Sequence, residues 1–200
     1  HDHVVLTQDW HPPGHASFAS SLPGAEPFTT VKFPYGPQTL WPDHCVQGTP
    51  GAAFHPDLEA TKAQMIVRKG FHTGIDSYSA FRENDRMTRT GLDGYLKARG
   101  IRTVVVTGLA TDFCVAWTAM DARKAGFDVH AVSGKPENAA YLKAIGAREV
   151  LGRDALATAR PMETARFGGG LRQAALVHQV TQGIPRRRHL DRLVSQCFIS

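Results

Sequence analysis

Short apolar runs separated by long polar stretches predict the strands in the first half of this 200-residue chain. The run HVVLT at 3–7 is rich in β-branched residues and ends close to Asp9, which predicts a buried strand. The run AQMIVRKG at 63–70 predicts a second strand that ends near Lys69. Residues 10–57 are rich in proline and glycine and show no apolar periodicity. This stretch predicts a long loop, and loops of this length inside a compact domain usually carry function.

Helical and extended patterns alternate from residue 91 onward. GLDGYLKARG carries Leu92, Tyr95 and Leu96 on one helical face and ends on a glycine, as an amphipathic helix does. The segments that follow are RTVVVTGL (102–109, strand), CVAWTAMDARKAG (114–126, helix), DVHAVS (128–133, strand) and ENAAYLKAIGAREVL (137–151, helix and strand). Because helix and strand alternate over short connections, the chain is predicted to be α/β, with a parallel sheet and right-handed crossovers. Past Gly152 the pattern weakens.

Composition restricts the class of protein. The chain is 42% hydrophobic and 20% charged, and no apolar run approaches the ~18 residues that a membrane span needs. We therefore expect no membrane insertion. The three cysteines, at positions 45, 114 and 197, form neither a paired framework nor a CxxC motif. This favours a reducing, cytoplasmic setting in which thiols are available for chemistry.

The net charge of +5 is concentrated at the end of the chain. Residues 1–150 hold 15 Lys and Arg against 15 Asp and Glu, whereas residues 151–200 hold 8 against 3. A basic run such as PRRRH at 185–189 is one feature of nucleic-acid binding. It lacks interleaved aromatic residues and any binding motif, so we favour a solvated tail and expect no nucleic-acid partner.

Two residues at strand ends are candidates for catalysis. Cys114 follows a predicted buried strand and begins a helix, and Lys69 ends another strand. In an open α/β sheet, ligands bind at the carboxyl edge of the strands, where both residues should lie. There a lysine stabilises a thiolate nucleophile. The alternatives are a buried apolar cysteine and a surface lysine, both of which are common.

The segment TQDWHPPGHASF is a candidate metal site. Asp9 and His11 are two residues apart, so their side chains leave an extended segment on the same face. The motif WPDHC adds His44 from the proline-rich loop. One carboxylate and two imidazoles suit Fe²⁺, Mn²⁺ or Zn²⁺. A pair of this kind is also frequent by chance, so the spacing alone leaves a polar loop as the alternative.

Five separated motifs give the chain a resemblance to a known family. DWHPPGH, LWPDHCVQGTPGAAFHPDL, RKG, DSYSAF and TGLATDFCVAWTAMDARKAGFDV occur in the order and spacing of the nicotinamidase (pyrazinamidase) branch of the isochorismatase-like cysteine hydrolases. The resemblance covers about residues 3–129. It implies a three-layer α/β sandwich with a mostly parallel sheet, and hydrolysis of nicotinamide to nicotinic acid and ammonia.

The resemblance also implies a role for each matching residue. Cys114 corresponds to the nucleophile and Lys69 to its electrostatic partner. The bond between Leu109 and Ala110 corresponds to a cis peptide, which places the Ala110 and Cys114 N–H groups in an oxyanion hole. The remaining matches are Asp9, His11 and His44 as ligands of one divalent metal ion (Zn, Fe or Mn), His15 as a ligand or a residue beside the metal, and Trp41 and Tyr78 beside the pyridine ring.

Two departures from the family pattern are apparent. The family's first strand, with its catalytic Asp, has no counterpart, so the chain is interpreted as cut at its N-terminus. Losing a general acid–base group removes ~10²–10⁴-fold of rate, so impaired activity is expected. Residues of about 130–170 instead resemble a medium-chain quinone or acryloyl-CoA reductase segment. They lack the Gly-rich phosphate loop, so no nucleotide cofactor is expected.

These features give a predicted organisation and a set of competing functions. We expect a hydrolase domain at 1–133, a βα unit at 134–170 that completes the sheet, and an Arg-rich, poorly ordered tail at 171–200. The predicted partner is a small aromatic amide, in NAD salvage, with a homo-oligomer left open. The alternatives are a metal-free isochorismatase-like hydrolase, a catalytically dead metal-binding remnant and an NADP-binding reductase fragment.

Overall fold

A computed structural model of the chain describes residues 3–132, 136–144, 146–151 and 174–180. The glycines at 168–170, the PRRRH run and the first part of the SGKPE turn lie outside the described residues. Most of the predicted 134–170 unit and of the 171–200 tail lies outside them as well.

The centre of the fold is a six-stranded sheet in which every neighbouring pair of strands is parallel. Its strands are β1 (His3–Asp9), β4 (Met65–Lys69), β5 (Thr103–Gly108), β6 (Asp128–Val132), β7 (Glu149–Leu151) and β8 (Ala174–Val180), in the order β4-β1-β8-β5-β6-β7. The described helices are α1 (Leu92–Ala98), α2 (Ala116–Lys124) and α3 (Ala139–Ala144). The predicted α/β fold with a mostly parallel sheet is therefore confirmed.

The long loop between β1 and β4 has some structure of its own. It contains an antiparallel hairpin of β2 (Thr30–Phe33) and β3 (Gly36–Thr39), together with short 3₁₀ turns. Bridges from His11 to Val46 and from Phe18 to Trp41 tie distant parts of the loop together. The side chain of Gln8, near the carboxyl end of β1, donates to the Ala52 carbonyl at 2.8 Å and attaches the loop to the sheet.

One face of the sheet carries the main apolar core. Val5, Val67 and Val104 are buried there, and they pack with Leu92 and Leu96 of α1. Because strand side chains alternate between faces, Asp9 and Lys69 lie on the same face as Val5 and Val67, but at the carboxyl ends of β1 and β4. Packing of the core therefore fixes the backbone positions of Asp9 and Lys69.

The central strand β8 differs from the expectation for residues 171–200. It lies between β1 and β5 and pairs with both, with Val177 opposite Val5 and Val106. The sequence AALVHQV contains a polar pair that weakens a strand prediction. A strand with two neighbours forms a hydrogen-bond ladder on each side, and this tertiary context outweighs a weak intrinsic preference. At the edge of the sheet, β7 pairs with β6.

Within the part of the chain that the structure describes, no helix has the length and apolar character needed to cross a membrane.

Candidate active site

The carboxyl edge of the sheet brings Lys69 and Cys114 into contact. Lys69 Nζ lies 3.4 Å from Cys114 Sγ and also donates a 2.9 Å hydrogen bond to the Ser77 carbonyl. The lysine side chain is only 1% exposed, so its ammonium group faces protein partners rather than solvent. The two residues are 45 positions apart in sequence, and they meet because the strands that precede them are parallel.

Asp9 forms an ion pair with the same lysine. Its Oδ1 atom contacts Lys69 Nζ, and both side chains are buried. The contact follows from the register of the sheet, since Asp9 lies opposite Lys69 in the β1–β4 pair. The structure thus places Asp9, Lys69 and Cys114 in one continuous polar chain, with the lysine in the middle.

Burial and charge shift the proton affinities within this chain. Burial raises the pKa of Cys114 to about 11, although the Lys69 charge acts in the opposite direction. Burial also disfavours the charged form of Lys69, but the negative charges of Asp9 and Cys114 outweigh that effect and raise its pKa above the usual value. Near neutral pH the lysine is therefore charged, and the thiol retains its proton until a reaction removes it.

Cys114 lies within a π-helical turn, Thr111–Val115, rather than at the first residue of the predicted helix. The Val115 N–H donates to the Ala110 carbonyl at 3.1 Å, a bond that spans five residues. Helix α2 begins at Ala116. The Leu109–Ala110 peptide bond is cis, as the family resemblance implied. The oxyanion hole formed by the Ala110 and Cys114 N–H groups stays a prediction.

Two buried histidines face each other beside the ion pair. The ring centroids of His11 and His44 are 4.7 Å apart. His44 Nδ1 lies 2.8 Å from the Pro42 carbonyl, which can only accept, so this nitrogen carries the proton and Nε2 is left unprotonated in the neutral ring. Burial, together with the neighbouring His11, lowers the pKa of His44 and favours that neutral form. A neutral imidazole is the form that binds a metal.

His15 has both ring nitrogens engaged. Nε2 lies 3.0 Å from the His72 carbonyl, and Nδ1 accepts from the Ser17 N–H at 3.2 Å. Burial lowers its pKa as well. Of the two roles considered for His15, this geometry favours a place beside a metal rather than coordination of it.

The donor chemistry at this edge fits a divalent metal, although three ligands are not gathered in advance. His11 Nδ1 is buried and has no hydrogen-bond partner among the described residues, and His44 has a nitrogen of the ligating form. Asp9, the third predicted ligand, is turned toward Lys69 instead. Over the described ranges, no three His, Cys, Asp or Glu side chains lie close enough to hold a metal ion.

Aromatic side chains form one wall of the site. Trp41 and Tyr78, both predicted from the sequence, are buried with ring centroids 6.2 Å apart. Phe113, which directly precedes Cys114, packs against Trp41 at 5.0 Å and Tyr78 at 5.2 Å, and Trp117 packs against Tyr78 at 5.4 Å. The sequence analysis assigned no role to Phe113 or Trp117. Their positions just before and after Cys114 were the available signal.

A buried carboxylate that sequence reasoning missed lies next to His11. Asp76 Oδ1 is 3.3 Å from His11 Nε2 and accepts from the Ser77 N–H at 2.7 Å, while Oδ2 accepts from Gln38 Nε2 at 2.9 Å. Burial opposes ionisation of Asp76, but the hydrogen bond from His11 and the one from the Ser77 N–H favour the carboxylate and lower the pKa of this carboxyl.

Three further histidines without a predicted role form pairs with acidic residues elsewhere. His55 lies by the exposed Asp57 at 3.6 Å, His72 by the buried Glu83 at 3.2 Å and His130 by Glu149 at 3.5 Å.

Comparison with known proteins identifies the family. The isochorismatase domain model matches residues 3–134. A nicotinamidase of Acinetobacter baylyi is 63% identical over 131 residues, which are 66% of this chain and 61% of that protein. The chain thus spans about three fifths of the length of this curated relative.

Solved structures agree with the sequence matches. A nicotinamidase/pyrazinamidase of Acinetobacter baumannii has a TM-score of 0.70 and 53% identity, over 76% of this chain and 78% of that one. A pyrazinamidase of Pyrococcus horikoshii, solved in complex with zinc, has a TM-score of 0.55 and 33% identity, over 74% of this chain and 75% of that one. The family match, the parallel sheet and the paired lysine and cysteine at its carboxyl edge lead to one conclusion: the chain belongs to the isochorismatase-domain family.

Proposed function

We propose that this chain is an amidohydrolase that converts nicotinamide into nicotinic acid and ammonia through a thioester on Cys114. The observation that carries the proposal is the buried contact between Lys69 Nζ and Cys114 Sγ at 3.4 Å, with Asp9 on the far side of the lysine. A cysteine beside a charged partner at the ligand-binding edge of an α/β sheet is the arrangement that nucleophilic catalysis needs. The similarity to nicotinamidases supports nicotinamide as the substrate.

The proposed reaction proceeds in two steps. In the first, Cys114 Sγ attacks the carboxamide carbon, the C–N bond breaks, and the thiol proton leaves on the nitrogen as ammonia. In the second, water attacks the thioester, the C–S bond breaks, and a water proton returns to sulfur. Each step conserves charge and electrons, so the net reaction is hydrolysis of one amide bond.

Lys69 and Asp9 are assigned the charge and proton handling. The raised pKa of Cys114 means that the proton must leave as sulfur attacks, and the charged Lys69 stabilises the developing thiolate. Among the described carboxylates, Asp9 is the one paired with this lysine. We assign Asp9 to hold the thiol proton, relayed through the lysine, until the leaving nitrogen takes it.

Substrate positioning is assigned to the aromatic wall and the histidines. Trp41, Tyr78 and Phe113 offer flat apolar faces to a heteroaromatic ring. His11 and His44 would hold a divalent ion, and the zinc in the Pyrococcus pyrazinamidase supports this assignment for the family. Such an ion would supply a Lewis acid for the ring nitrogen, and this contact would orient the carboxamide. The N–H groups of Ala110 and Cys114 are proposed to receive the developing oxyanion.

Ammonia release from nicotinamide tests the proposal. The assay uses the full chain supplied in turn with Zn²⁺, Mn²⁺ and Fe²⁺, beside the Cys114→Ala variant. Cys45→Ala is the matched control, because Cys45 is the other buried cysteine in the described part of the chain. We expect release by the native chain and by Cys45→Ala, and none by Cys114→Ala.

Other outcomes would assign a different function. Activity that survives in Cys114→Ala contradicts the thioester. Activity that chelators leave unchanged favours the metal-free hydrolase. Tight metal binding without any release of ammonia favours the catalytically dead remnant.

A further inference from the structure

Beside the catalytic pair lies a chain of buried hydrogen bonds whose direction can be traced from the backbone. It runs through Asn84, Gln38 and Asp76 to His11, and none of the first three has a part in the proposed reaction. All four side chains are buried. A buried polar chain of this kind stabilises one arrangement of its members and disfavours the others.

The direction of each bond follows from a donor that cannot be reversed. The Tyr78 backbone N–H donates to Asn84 Oδ1 at 3.1 Å, so the opposite end of that amide, Nδ2, is a donor. Asn84 Nδ2 donates to Gln38 Oε1 at 3.0 Å, which leaves Gln38 Nε2 as the donor to Asp76 Oδ2 at 2.9 Å. One backbone group thus fixes the orientation of both amides.

Asp76 can only accept at its remaining contact. The Ser77 N–H occupies Oδ1 and the Gln38 amide occupies Oδ2, so both carboxylate oxygens already face donors. The third contact, 3.3 Å from Oδ1 to His11 Nε2, then requires that Nε2 carries a proton. The ring also lies close to Gly70, where an added Cβ would be 2.7 Å from Nε2.

The proton on Nε2 determines the state of the other ring nitrogen of His11, Nδ1. Nδ1 is buried and has no hydrogen-bond partner among the residues that the structure describes. A proton there would be a buried donor without an acceptor, which costs ~1–3 kcal/mol. A neutral ring with a proton on Nε2 avoids that cost and leaves a bare lone pair on Nδ1.

We propose that Asp76 is a positioning residue that fixes His11 as its Nε2–H tautomer and thereby presents an unprotonated Nδ1 to a divalent cation. Carboxylate partners of this kind set the tautomer and raise the basicity of metal-binding histidines. The inference deepens the proposed function by giving a role to a residue outside the predicted ligand set. Its first half, the tautomer, holds whether or not the chain hydrolyses nicotinamide.

Nitrogen NMR on the metal-free full chain tests the tautomer without any substitution. Long-range ¹H–¹⁵N correlation of the His11 ring should show a protonated Nε2 and a bare Nδ1, and added Zn²⁺ should shift Nδ1 rather than Nε2. A doubly protonated ring, the opposite tautomer or a Zn²⁺ shift confined to Nε2 would overturn the proposal.

Zn²⁺ affinity gives an independent readout. The Asp76→Asn variant is compared with Asp57→Asn, the same change at a carboxylate whose side chain is 90% exposed. By competition with a chromophoric chelator we expect Asp76→Asn to bind Zn²⁺ about 10–100-fold more weakly and Asp57→Asn to match the native chain. Equal affinities in a folded Asp76→Asn protein would overturn the proposal. If that variant does not fold, the NMR result on the native chain decides. Ammonia release enters neither test, so failure of the hydrolase proposal remains distinguishable from failure of this one.

Discussion

Replacing Lys69 with methionine should make Cys114 much less reactive, because methionine keeps the apolar stem but removes the charge beside the sulfur. The ammonium lies 3.4 Å from Sγ. With an effective dielectric constant of ~20, a unit charge at that distance contributes ~5 kcal/mol to the stability of a thiolate. Asp9 carries the opposite charge and cancels part of this attraction. We estimate a net loss of ~2 kcal/mol, or about 30-fold less thiolate at a given pH.

Alkylation measures this effect without substrate. The second-order rate of iodoacetamide modification is followed at Cys114 by mass spectrometry of the peptide, over a range of pH. We expect the rate at a fixed pH to fall about 30-fold in Lys69→Met, since the thiolate is the reacting species. Lys62→Met is the matched control, because Lys62 is an exposed lysine that pairs with Glu59.

A stability check accompanies the measurement. Lys69→Met leaves Asp9 as a buried carboxylate without its partner, and breaking a buried pair in this way costs ~3–5 kcal/mol. The double variant Asp9→Asn/Lys69→Met removes that penalty and should fold more stably than the single variant while remaining slow to alkylate. Alkylation of Cys114 in Lys69→Met within about twofold of the native rate would refute the reasoning, since the charge would then have no influence on the thiol.

Three further predictions follow from the same geometry. Gly70→Ala should lower the free energy of unfolding in urea by about 1–3 kcal/mol, because its Cβ would meet the His11 ring at 2.7 Å and Gly70 has a φ of +67°; Gly51→Ala, with its nearest contact at 3.6 Å, should change it little, and equal effects would contradict the close approach. Phe113→Ala should raise KM for nicotinamide about tenfold or more in steady-state kinetics, since the aromatic wall loses a ring; an unchanged KM would remove Phe113 from the pocket. The alkylation rate of native Cys114 should rise about tenfold per pH unit from about pH 7 to about pH 10, because burial raises the pKa of the thiol to about 11 and the neutral thiol persists below that pH. A rate that reaches a plateau near neutral pH would show that the thiolate is already formed there.

The sequence was sufficient to predict which residues lie close together when those residues lie at the ends of regular strands. Lys69 and Cys114 were predicted to meet because each follows an apolar parallel strand, and the structure joins them at 3.4 Å. His11 and His44 also lie together, although their link runs through a loop without periodicity. In these cases the pattern of the strands, or a family motif, carried enough information.

The sequence was not sufficient to predict side-chain contacts and strand positions that depend on tertiary packing. Asp76 lies in an irregular segment and Gln38 lies in strand β3, and nothing in the local sequence of either residue indicates that they share a hydrogen bond. The ion pair of Asp9 with Lys69 depends on the β1–β4 register, which apolar patterning does not give. Strand β8 was missed because its place between two other strands, not its own composition, stabilises it.

Trapping the acyl group on Cys114 tests the central claim most directly. The full chain is mixed with nicotinamide and quenched in acid, and the peptide that carries Cys114 is examined by mass spectrometry. A parallel reaction contains hydroxylamine, which intercepts a thioester as a hydroxamate. The account predicts a nicotinoyl group on the Cys114 sulfur, or the nicotinoyl hydroxamate, and neither product with Cys114→Ala. Ammonia released by the native chain without either product would contradict it.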